Sequence, residues 1–179
     1  MISHIKRVHH DELLDIVDTS DIVIGQRWRS EIYQEGACNF RVVNAFLLNN
    51  AGKLWIPRRA SGKKLFPMCL DMSMGGHVAA GESYEEAFAR ELMEELNLDV
   101  RQIECRTLGK LSPYQHGVSA FMTVYEIKLE RAPEYNKTDF CEYFWLTPQE
   151  VLDALEKGDR AKDDLPRLVR YFYPQQEKA

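Results

Sequence analysis

The first sixty residues alternate short apolar runs with clusters of turn-forming residues. The runs over 13–17 and 22–24 are separated by D-T-S-D, which predicts a β-hairpin. A second and stronger hairpin is predicted by R-V-V-N-A-F-L-L from Arg41 and K-L-W-I-P-R-R from Lys53, because β-branched and aromatic residues flank an N-N-A-G turn. The start of the chain is therefore expected to be mostly β-structure.

The central segment is predicted to contain a loop followed by the clearest helix of the chain. Residues 66–76 contain methionines and glycines without any period, which is typical of a loop that lines a site. A helix is predicted from Ser83 to Asn97, because Ser83 can cap it, Glu86 stands three residues later as in a capping box, and alanines and leucines fill it. A shorter helix is predicted over 27–34.

The last third of the chain alternates strands and helices. Strands are predicted over 101–109, 120–129 and 143–146. Helices are predicted over 147–158, which has Pro in its first turn and Gly at its end, and over 165–173. Because no linker, repeat or low-complexity tract divides the chain, residues 1–179 are predicted to form a single domain.

Composition narrows the class of protein. The 179 residues are 45% hydrophobic, and a chain of this length buries roughly 70% of its unfolded surface, enough for a core without disulfides or a structural metal. With 23 basic and 28 acidic residues and no basic stripe, a nucleic-acid polymer is not expected as partner. The four cysteines are scattered and predicted to be free thiols. No stretch resembles a signal peptide or the ~18 apolar residues of a membrane span, so we expect a cytoplasmic protein without a membrane partner.

Three glutamates share one edge of the predicted central helix. At about 100° per residue, Glu95 lies about 40° and Glu94 about 60° from Glu91. Leu92 and Leu96 place the apolar stripe directly beside them. Three carboxylates this close repel one another, and each suppresses the ionisation of the others unless a cation is bound. Mg²⁺ prefers hard oxygen ligands and usually works with a substrate phosphate, so this edge predicts a magnesium–diphosphate site, with Mn²⁺ as an alternative ion.

A solvated acidic helix is the plain alternative, since runs of charge usually face water. The pattern is longer than one helix face, however. The six fixed positions of G-x5-E-x7-R-E-x-x-E-E, from Gly76 to Glu95, arise by chance on the order of 10⁻⁵ times in a chain of this length. The spacing therefore favours a functional site.

The segment 76–98 resembles the signature of the Nudix hydrolases, G-x5-E-x7-R-E-U-x-E-E-x-G-U, in which U is aliphatic. The matching residues are Gly76, Glu82, Arg90, Glu91, Leu92, Glu94, Glu95 and Leu98. Asn97 stands where the pattern has Gly, but Asn tolerates the left-handed conformation that ends a helix. The resemblance implies an α/β/α sandwich, of the α/β (α+β) class, with a mixed β-sheet between helices.

The resemblance also implies an activity, the cleavage by water of a nucleoside diphosphate linked to another group, with a divalent metal. Glu91, Glu94 and Glu95 correspond to metal ligands, and the carbonyl of Gly76 in the Gly75-Gly76 turn to a further ligand. Free nucleoside di- or triphosphates are the first expectation within this class. The partner is therefore a small phosphorylated molecule, bound by a monomer or a homodimer.

Further acids are implied around the metal ligands. Arg90 is similar to the arginine that orients a glutamate in this family, and Glu82 to its partner. A Nudix site often recruits one more acid from a distant loop. Asp139 and Glu142, just before the strand at 143–146, are the candidates, although both suit an ordinary loop equally well.

A basic segment follows the second predicted hairpin. In the branch of the family that this chain resembles, the matching basic residues approach the diphosphate. The candidates for substrate binding are Arg58, Arg59, Lys63 and Lys64. Four cations near a carboxylate metal site would hold a charged substrate, and a solvated basic loop is the alternative.

That branch includes isopentenyl-diphosphate isomerase, and the similarity extends from about Asp15 to Leu155. It raises a second activity, migration of a double bond. The isomerase carries a cysteine directly before the signature glycine and glutamates early in the strand after the helix, whereas this chain has Gly75 and V-S-A from Val118 there. His77 does match a metal-binding histidine of the isomerase. Without the thiol and the acid, allylic proton transfer lacks both of its groups, so hydrolysis is favoured.

A Nudix-like module that binds a nucleotide or a partner without turnover is a third hypothesis. Every acidic position of the signature is intact, which argues against it. The sequence therefore predicts a Mg²⁺-dependent Nudix pyrophosphohydrolase.

Overall fold

The computed structural model describes residues 11–174. Within them the chain forms eight strands and five helices. The strands are β1 (Leu13–Val17), β2 (Val23–Trp28), β3 (Arg41–Leu48), β4 (Leu54–Arg59), β5 (Met74–His77), β6 (Glu104–Leu111), β7 (Phe121–Lys128) and β8 (Phe140–Leu146). The helices are α1 (Arg29–Glu35), α2 (Tyr84–Leu96), α3 (Pro113–His116), α4 (Pro148–Glu156) and α5 (Leu165–Phe172). The expectation that no signal peptide opens the chain falls partly on residues 1–10, outside this range.

The main sheet is mixed and lies between helices. Its strands run in the order β6-β7-β3-β4-β8, with β5 also paired to β3, and β3 and β7 are parallel whereas the other pairs are antiparallel. Successive residues of β3 point to opposite faces, so Leu47 packs in a core cluster with Leu92 of α2, and Phe46 in a second one with Val151 of α4 and Leu168 of α5. The expected mixed sheet between helices is confirmed.

The first predicted hairpin is confirmed, and the second is formed only at its turn. Strands β1 and β2 pair antiparallel in a separate two-stranded sheet. Strands β3 and β4 are antiparallel neighbours, but their register contains only the pair Leu48 and Leu54, because β5 takes the edge of β3 from Val42 to Ala45. Where β3 and β4 part, the Ser73 hydroxyl accepts a hydrogen bond from Leu47 N–H (2.8 Å) and donates one to the Trp55 carbonyl (2.5 Å).

Several segments differ from the pattern-based expectation. Strand β8 begins at Phe140 rather than Tyr143, so Glu142 lies within the strand and not before it. Residues 66–76 were expected to be a loop, yet β5 begins at Met74. Two of the four residues of β5 are glycines, so the strand has no alternation of side chains by which it could be recognised in the sequence. The strand expected from Arg101 begins at Glu104, since the Asp99 side chain caps a 3₁₀ turn over Val100–Gln102.

Helix α2 begins and ends as its sequence predicts. The Ser83 hydroxyl accepts from the Glu86 N–H at 3.2 Å, and the Glu86 carboxylate accepts from the Ser83 N–H at 2.8 Å, which completes the capping box. Asn97 ends the helix in the left-handed region with φ 52°, so it replaces the family glycine without changing the turn. The predicted helices near the C-terminus are also confirmed as α4 and α5.

Two expectations from composition concern properties of the whole chain. All four cysteines lie within the described residues and are free. None of the helices in residues 11–174 has the length and the apolar content that crossing a membrane requires.

Candidate active site

The signature glycine lets helix α2 approach strand β5 closely. A Cβ atom at Gly76 would lie 2.0 Å from the carboxyl carbon of Glu91. A side chain at this position would displace the Glu91 carboxylate, so glycine allows Glu91 to keep its position. The approach places the Glu91 carboxylate directly on the backbone of β5, the same segment whose carbonyl was predicted to bind a metal.

Arg90 links the signature acids to β5. Its guanidinium donates to both carboxylate oxygens of Glu82 (2.9 Å each) and to the carbonyl of His77 (2.9 Å). The remaining nitrogen donates to Glu91 at 2.7 Å. Burial opposes ionisation of Glu82, but the hydrogen bonds from Arg90 and from the Ala79 N–H outweigh it and lower the pKa of this carboxyl. Arg90 therefore lies between Glu82 and Glu91, the geometry expected of a positioning residue.

Glu95 is buried and Glu91 has only 14% of its side chain exposed, so neither signature carboxyl ionises readily. Burial is the largest cause that raises the pKa of Glu91 to about 7, and the hydrogen bond from Arg90 only partly offsets it. Burial, followed by the charge of Glu91, raises the pKa of Glu95 well above its ordinary value. The Gly75 N–H donates to Glu95 at 3.1 Å and opposes this increase. The folded chain thus holds two carboxyls that lack enough positive charge nearby to ionise freely.

The three glutamates form one edge but do not converge on a point. Glu94 lies on the outer side of α2, with 52% of its side chain exposed and 3.8 Å from Arg90. Within residues 11–174, no group of three or more His, Cys, Asp or Glu side chains is arranged to hold a metal ion. The donor chemistry nevertheless fits a hard divalent cation, because such an ion would supply the charge that Glu91 and Glu95 lack. We call Glu91, Glu94 and Glu95 the acidic edge.

Three of the four predicted basic residues are already paired with acidic side chains. Arg58 donates to Asp159 (2.8 and 2.9 Å), to Glu142 (2.5 Å) and to the Met68 carbonyl (3.1 Å). Arg59 donates to Asp71 (2.6 Å) and Lys63 to Asp139 (2.5 Å), whereas Lys64 is exposed. We call these three ion-paired cations and their partners Asp159, Asp71 and Asp139 the paired cluster. Their predicted role in substrate binding stays a prediction.

The two candidates for an additional acid lie in different surroundings. The charge of Asp139 contributes to the raised pKa of Glu95, which places Asp139 near the acidic edge. The backbone supports this placement, because the Asn136 N–H donates to the carbonyl of Glu95 at 2.7 Å. Glu142 instead pairs with Arg58 and has 48% of its side chain exposed. The geometry favours Asp139.

Sequence reasoning missed two acids near the edge. Asp71 is buried beside Arg59, and its charge also raises the pKa of Glu95. Glu12 lies within 3.3 Å of the His77 ring, and its charge raises the pKa of Glu91. Asp71 falls in the segment expected to line a site, so its neighbourhood was indicated. Glu12 stands in no motif and is brought there only by the pairing of Leu14 with Ala79.

His77 is held firmly within this environment. The Glu12 carboxylate faces Nδ1, and the Tyr33 hydroxyl lies 3.0 Å from Nε2. Burial lowers the pKa of the imidazole, whereas the hydrogen bond from His77 lowers the pKa of Glu12 to about 2. At neutral pH the ring is therefore uncharged beside an ionised carboxylate.

Comparisons with known proteins identify the family of this chain. The model of the NUDIX domain matches residues 39–168. An uncharacterized Nudix hydrolase from Nostoc sp. is 60% identical over 162 residues, which cover 90% of this chain and 96% of that protein. The crystal structure of DR0079 from Deinococcus radiodurans has a TM-score of 0.86 and 46% identity, covering 90% of this chain and 99% of that one. An isopentenyl-diphosphate Delta-isomerase from Kocuria rhizophila is 25% identical over 158 residues, 84% of this chain and 86% of that protein.

The chain therefore belongs to the Nudix family, and it is a hydrolase of that family. Proteins of this family act on small-molecule substrates and generally use divalent metal ions. The resemblance inferred from residues 76–98 is confirmed, and the isomerase branch is represented among the weaker relatives.

Proposed function

We propose that this protein is a Mg²⁺-dependent pyrophosphohydrolase that cleaves nucleoside diphosphate-type compounds, with free nucleoside di- and triphosphates as the first substrates to test. The observation that carries this proposal is the burial of Glu91 and Glu95 side by side, with both pKa values raised. Folding alone gains nothing from this arrangement, because two adjacent carboxyls that share a single cation, Arg90, destabilise the protein when they ionise. A divalent ion shared with a polyphosphate would remove that penalty.

The proposed roles follow from the placement of each side chain. Glu91, Glu94, Glu95 and the carbonyl of Gly76 would hold the ion, which when bound lowers the pKa of water and neutralises charge on the phosphoryl oxygens. Arg90 fixes the orientation of Glu91 through its bonds to Glu82. Asp139, close to Glu95, would serve as the additional acid.

The proposed reaction is a displacement at phosphorus. The oxygen of water forms a bond to a phosphorus atom as the bridging P–O bond breaks, and the electron pair of that bond leaves with the bridging oxygen. A nucleoside diphosphate then gives a nucleoside monophosphate and phosphate, and one proton is released. Cations of the paired cluster beside the acidic edge would hold the negatively charged chain of phosphates.

The test is an assay with Mg²⁺ against nucleoside di- and triphosphates, nucleotide sugars and dinucleotides, with products identified. Glu94→Gln and Glu95→Gln should each lower Mg²⁺-dependent release of phosphate or pyrophosphate by at least about 100-fold. Glu85→Gln is the matched control, because Glu85 is an exposed acid of the same helix at a variable position of the signature. Full turnover in both signature variants would contradict the metal assignment.

The isomerase relatives define one competing activity, and the structure offers an observation against it. A Cβ atom at Gly75 would lie 2.6 Å from the side-chain oxygen of Asn44, which is buried. The space that a cysteine would need before Gly76 is thus taken by Asn44. Incubation with isopentenyl diphosphate should yield no allylic isomer, and its detection would replace hydrolysis by isomerisation as the function.

The remaining parts of the proposal concern the protein as a whole. We propose a single domain over residues 1–179 that works in the cytoplasm, since its four cysteines are free. Monomer and homodimer are distinguished by light scattering. Mn²⁺ should substitute for Mg²⁺ in the hydrolysis assay, because both take oxygen ligands.

A further inference from the structure

A lysine far along the chain, Lys162, lies beside the segment that precedes β5. The Leu70 N–H donates to the carbonyl of Arg160, and the Lys162 N–H donates to the carbonyl of Leu70, both at 2.8 Å. Leu70 and Ala161 thus form a parallel bridge between the segment before β5 and the segment after α4. This pairing fixes the backbone of Lys162 next to Asp71.

Asp71 is a buried carboxylate shared by two cations. Its side chain is 5% exposed, and one oxygen accepts from Arg59 at 2.6 Å. The other oxygen accepts from the Met72 N–H at 2.8 Å and lies 3.7 Å from the Lys162 ammonium. Because a distance of 3.7 Å exceeds that of a hydrogen bond, Lys162 is attracted to Asp71 by charge and does not donate a hydrogen bond to it.

The segment that holds Asp71 leads directly into the site. Asp71 lies three residues before Met74, the first residue of β5, and the Gly75 N–H of that strand donates to Glu95 at 3.1 Å. The charge of Asp71 also contributes to the raised pKa of Glu95. Lys162 is held beside Asp71 with 26% of its side chain exposed, so it lies next to the segment that enters the acidic edge.

The cations of the paired cluster have more hydrogen-bond partners than Lys162. Arg58 makes hydrogen bonds to two carboxylates and a carbonyl, and Arg59 bonds to Asp71 and to the Leu65 carbonyl. Lys63 forms a 2.5 Å contact with Asp139. The Lys162 ammonium has three donors, and within residues 11–174 its side chain forms only the long ion pair with Asp71.

We propose that Lys162 binds the terminal phosphoryl group of the substrate and thereby selects compounds that end in phosphate over those whose distal phosphate is esterified to an uncharged sugar. The inference rests on the proposed function, since it assumes that a phosphoanhydride lies along the acidic edge. A terminal phosphoryl group carries more negative charge and one more free oxygen than a sugar-esterified one, so it gains most from an ammonium with free donors.

The experiment compares Lys162→Ala, Lys162→Arg and the control Lys157→Ala, which removes an exposed lysine at the end of α4. For a nucleoside diphosphate, Lys162→Ala should raise KM about 10-fold or more with a smaller change in kcat. For a nucleotide sugar with the same base, KM should change less than about 3-fold. Lys162→Arg should retain most of the affinity, because the charge is kept. Lys157→Ala should behave as the unaltered protein.

A binding measurement separates this inference from the proposed function. Calorimetric titration with inorganic pyrophosphate and Mg²⁺ needs no turnover, and Lys162→Ala should weaken that binding about 10-fold, with Lys162→Arg as the second variant if the alanine protein melts early. Equal losses of affinity for the diphosphate and the nucleotide sugar would overturn the inference, and so would unchanged pyrophosphate binding. Absence of hydrolysis by the unaltered protein, with pyrophosphate binding that depends on Lys162, would instead overturn the proposed function alone.

Discussion

The acidic edge and the paired cluster are both groups of charged side chains, but the structure balances the charges of the second group much more fully than those of the first. In the paired cluster every charge meets its opposite, as with Arg58 and Asp159, and the hydrogen bond from Arg58 lowers the pKa of Asp159. In the acidic edge, Glu91 accepts a hydrogen bond from one guanidinium nitrogen, and Glu95 accepts one from a backbone N–H. This difference indicates where a ligand is needed, because a bound cation can balance the negative charge that the folded chain itself does not balance.

The largest effect should come from filling the space that lets Glu91 rest on β5. Gly76→Ala would place a methyl group 2.0 Å from the Glu91 carboxyl carbon, so the helix or the carboxylate must move. Hydrolysis should fall by at least about 100-fold, because displacing a site group by about 1 Å costs that much. Steady-state kinetics checks this, with Gly62→Ala as control, since nothing lies within 4 Å of its added methyl group. Equal activity of both variants would show that the close approach is unnecessary.

A smaller effect should separate stability from activity at the acidic edge. At pH 8 without metal, Glu95→Gln should raise the free energy of unfolding by about 1–3 kcal/mol, because a buried charge is removed. The pKa of Glu95 is raised in the folded state, so the stability from its protonated form is complete below pH 4.5 and is lost as pH rises. The gain should therefore shrink at pH 5. Urea titrations at both values test this, with the half-exposed Glu94→Gln as control; equal gains in both variants would contradict burial as the cause.

The paired cluster should respond with the opposite pH dependence. Asp159→Asn should cost about 1 kcal/mol of stability at pH 7, a modest value because 31% of the side chain is exposed. The pKa of Asp159 is lowered in the folded state, so this contribution is present above the ordinary value of 3.8 and lost as pH falls further. Thermal melts at pH 7 and pH 3 measure it. KM for the nucleotide should stay within about 2-fold, because Glu142 and the Met68 carbonyl still hold Arg58 in place. A larger change would show that Asp159 is needed to position Arg58.

The smallest effect concerns the end of the helix that carries the acidic edge. Asn97 has φ 52°, which glycine adopts freely and alanine does not. Asn97→Gly should change the free energy of unfolding by less than about 0.5 kcal/mol, whereas Asn97→Ala should cost about 1 kcal/mol. Chemical denaturation of the two variants checks this, and activity should be unaltered in both. Destabilisation by glycine as large as by alanine would point to a side-chain role of Asn97.

Local signals predicted most of the elements, and the reasons are visible in particular residues. Ser83 and Glu86 specify the start of α2 through contacts three residues apart, so the sequence alone was sufficient. Strand β5 was missed because glycines at 75 and 76 erase the alternation that marks a strand. The partial second hairpin could not be predicted either, since it results from the long-range pairing of β5 with β3.

In the candidate site, too, the residues of one local segment were predicted, and those brought in by long-range pairing were not. Glu82, Arg90 and Glu91 were predicted from one contiguous segment, and the structure brings them into direct contact. Glu12 and Lys162 could not be found, because strand and bridge pairings bring them from distant segments that carry no motif. The sequence could not indicate that Arg58 would be engaged by Asp159, 101 residues away.

The hydrogen bond from the Asn136 N–H to the Glu95 carbonyl ties the loop that bears Asp139 to the last turn of α2. That amide proton is therefore an internal reporter of the acidic edge. Its exchange with deuterated solvent should slow when a cation steadies the end of the helix, so occupancy of the edge becomes visible to nuclear magnetic resonance without any substrate being consumed.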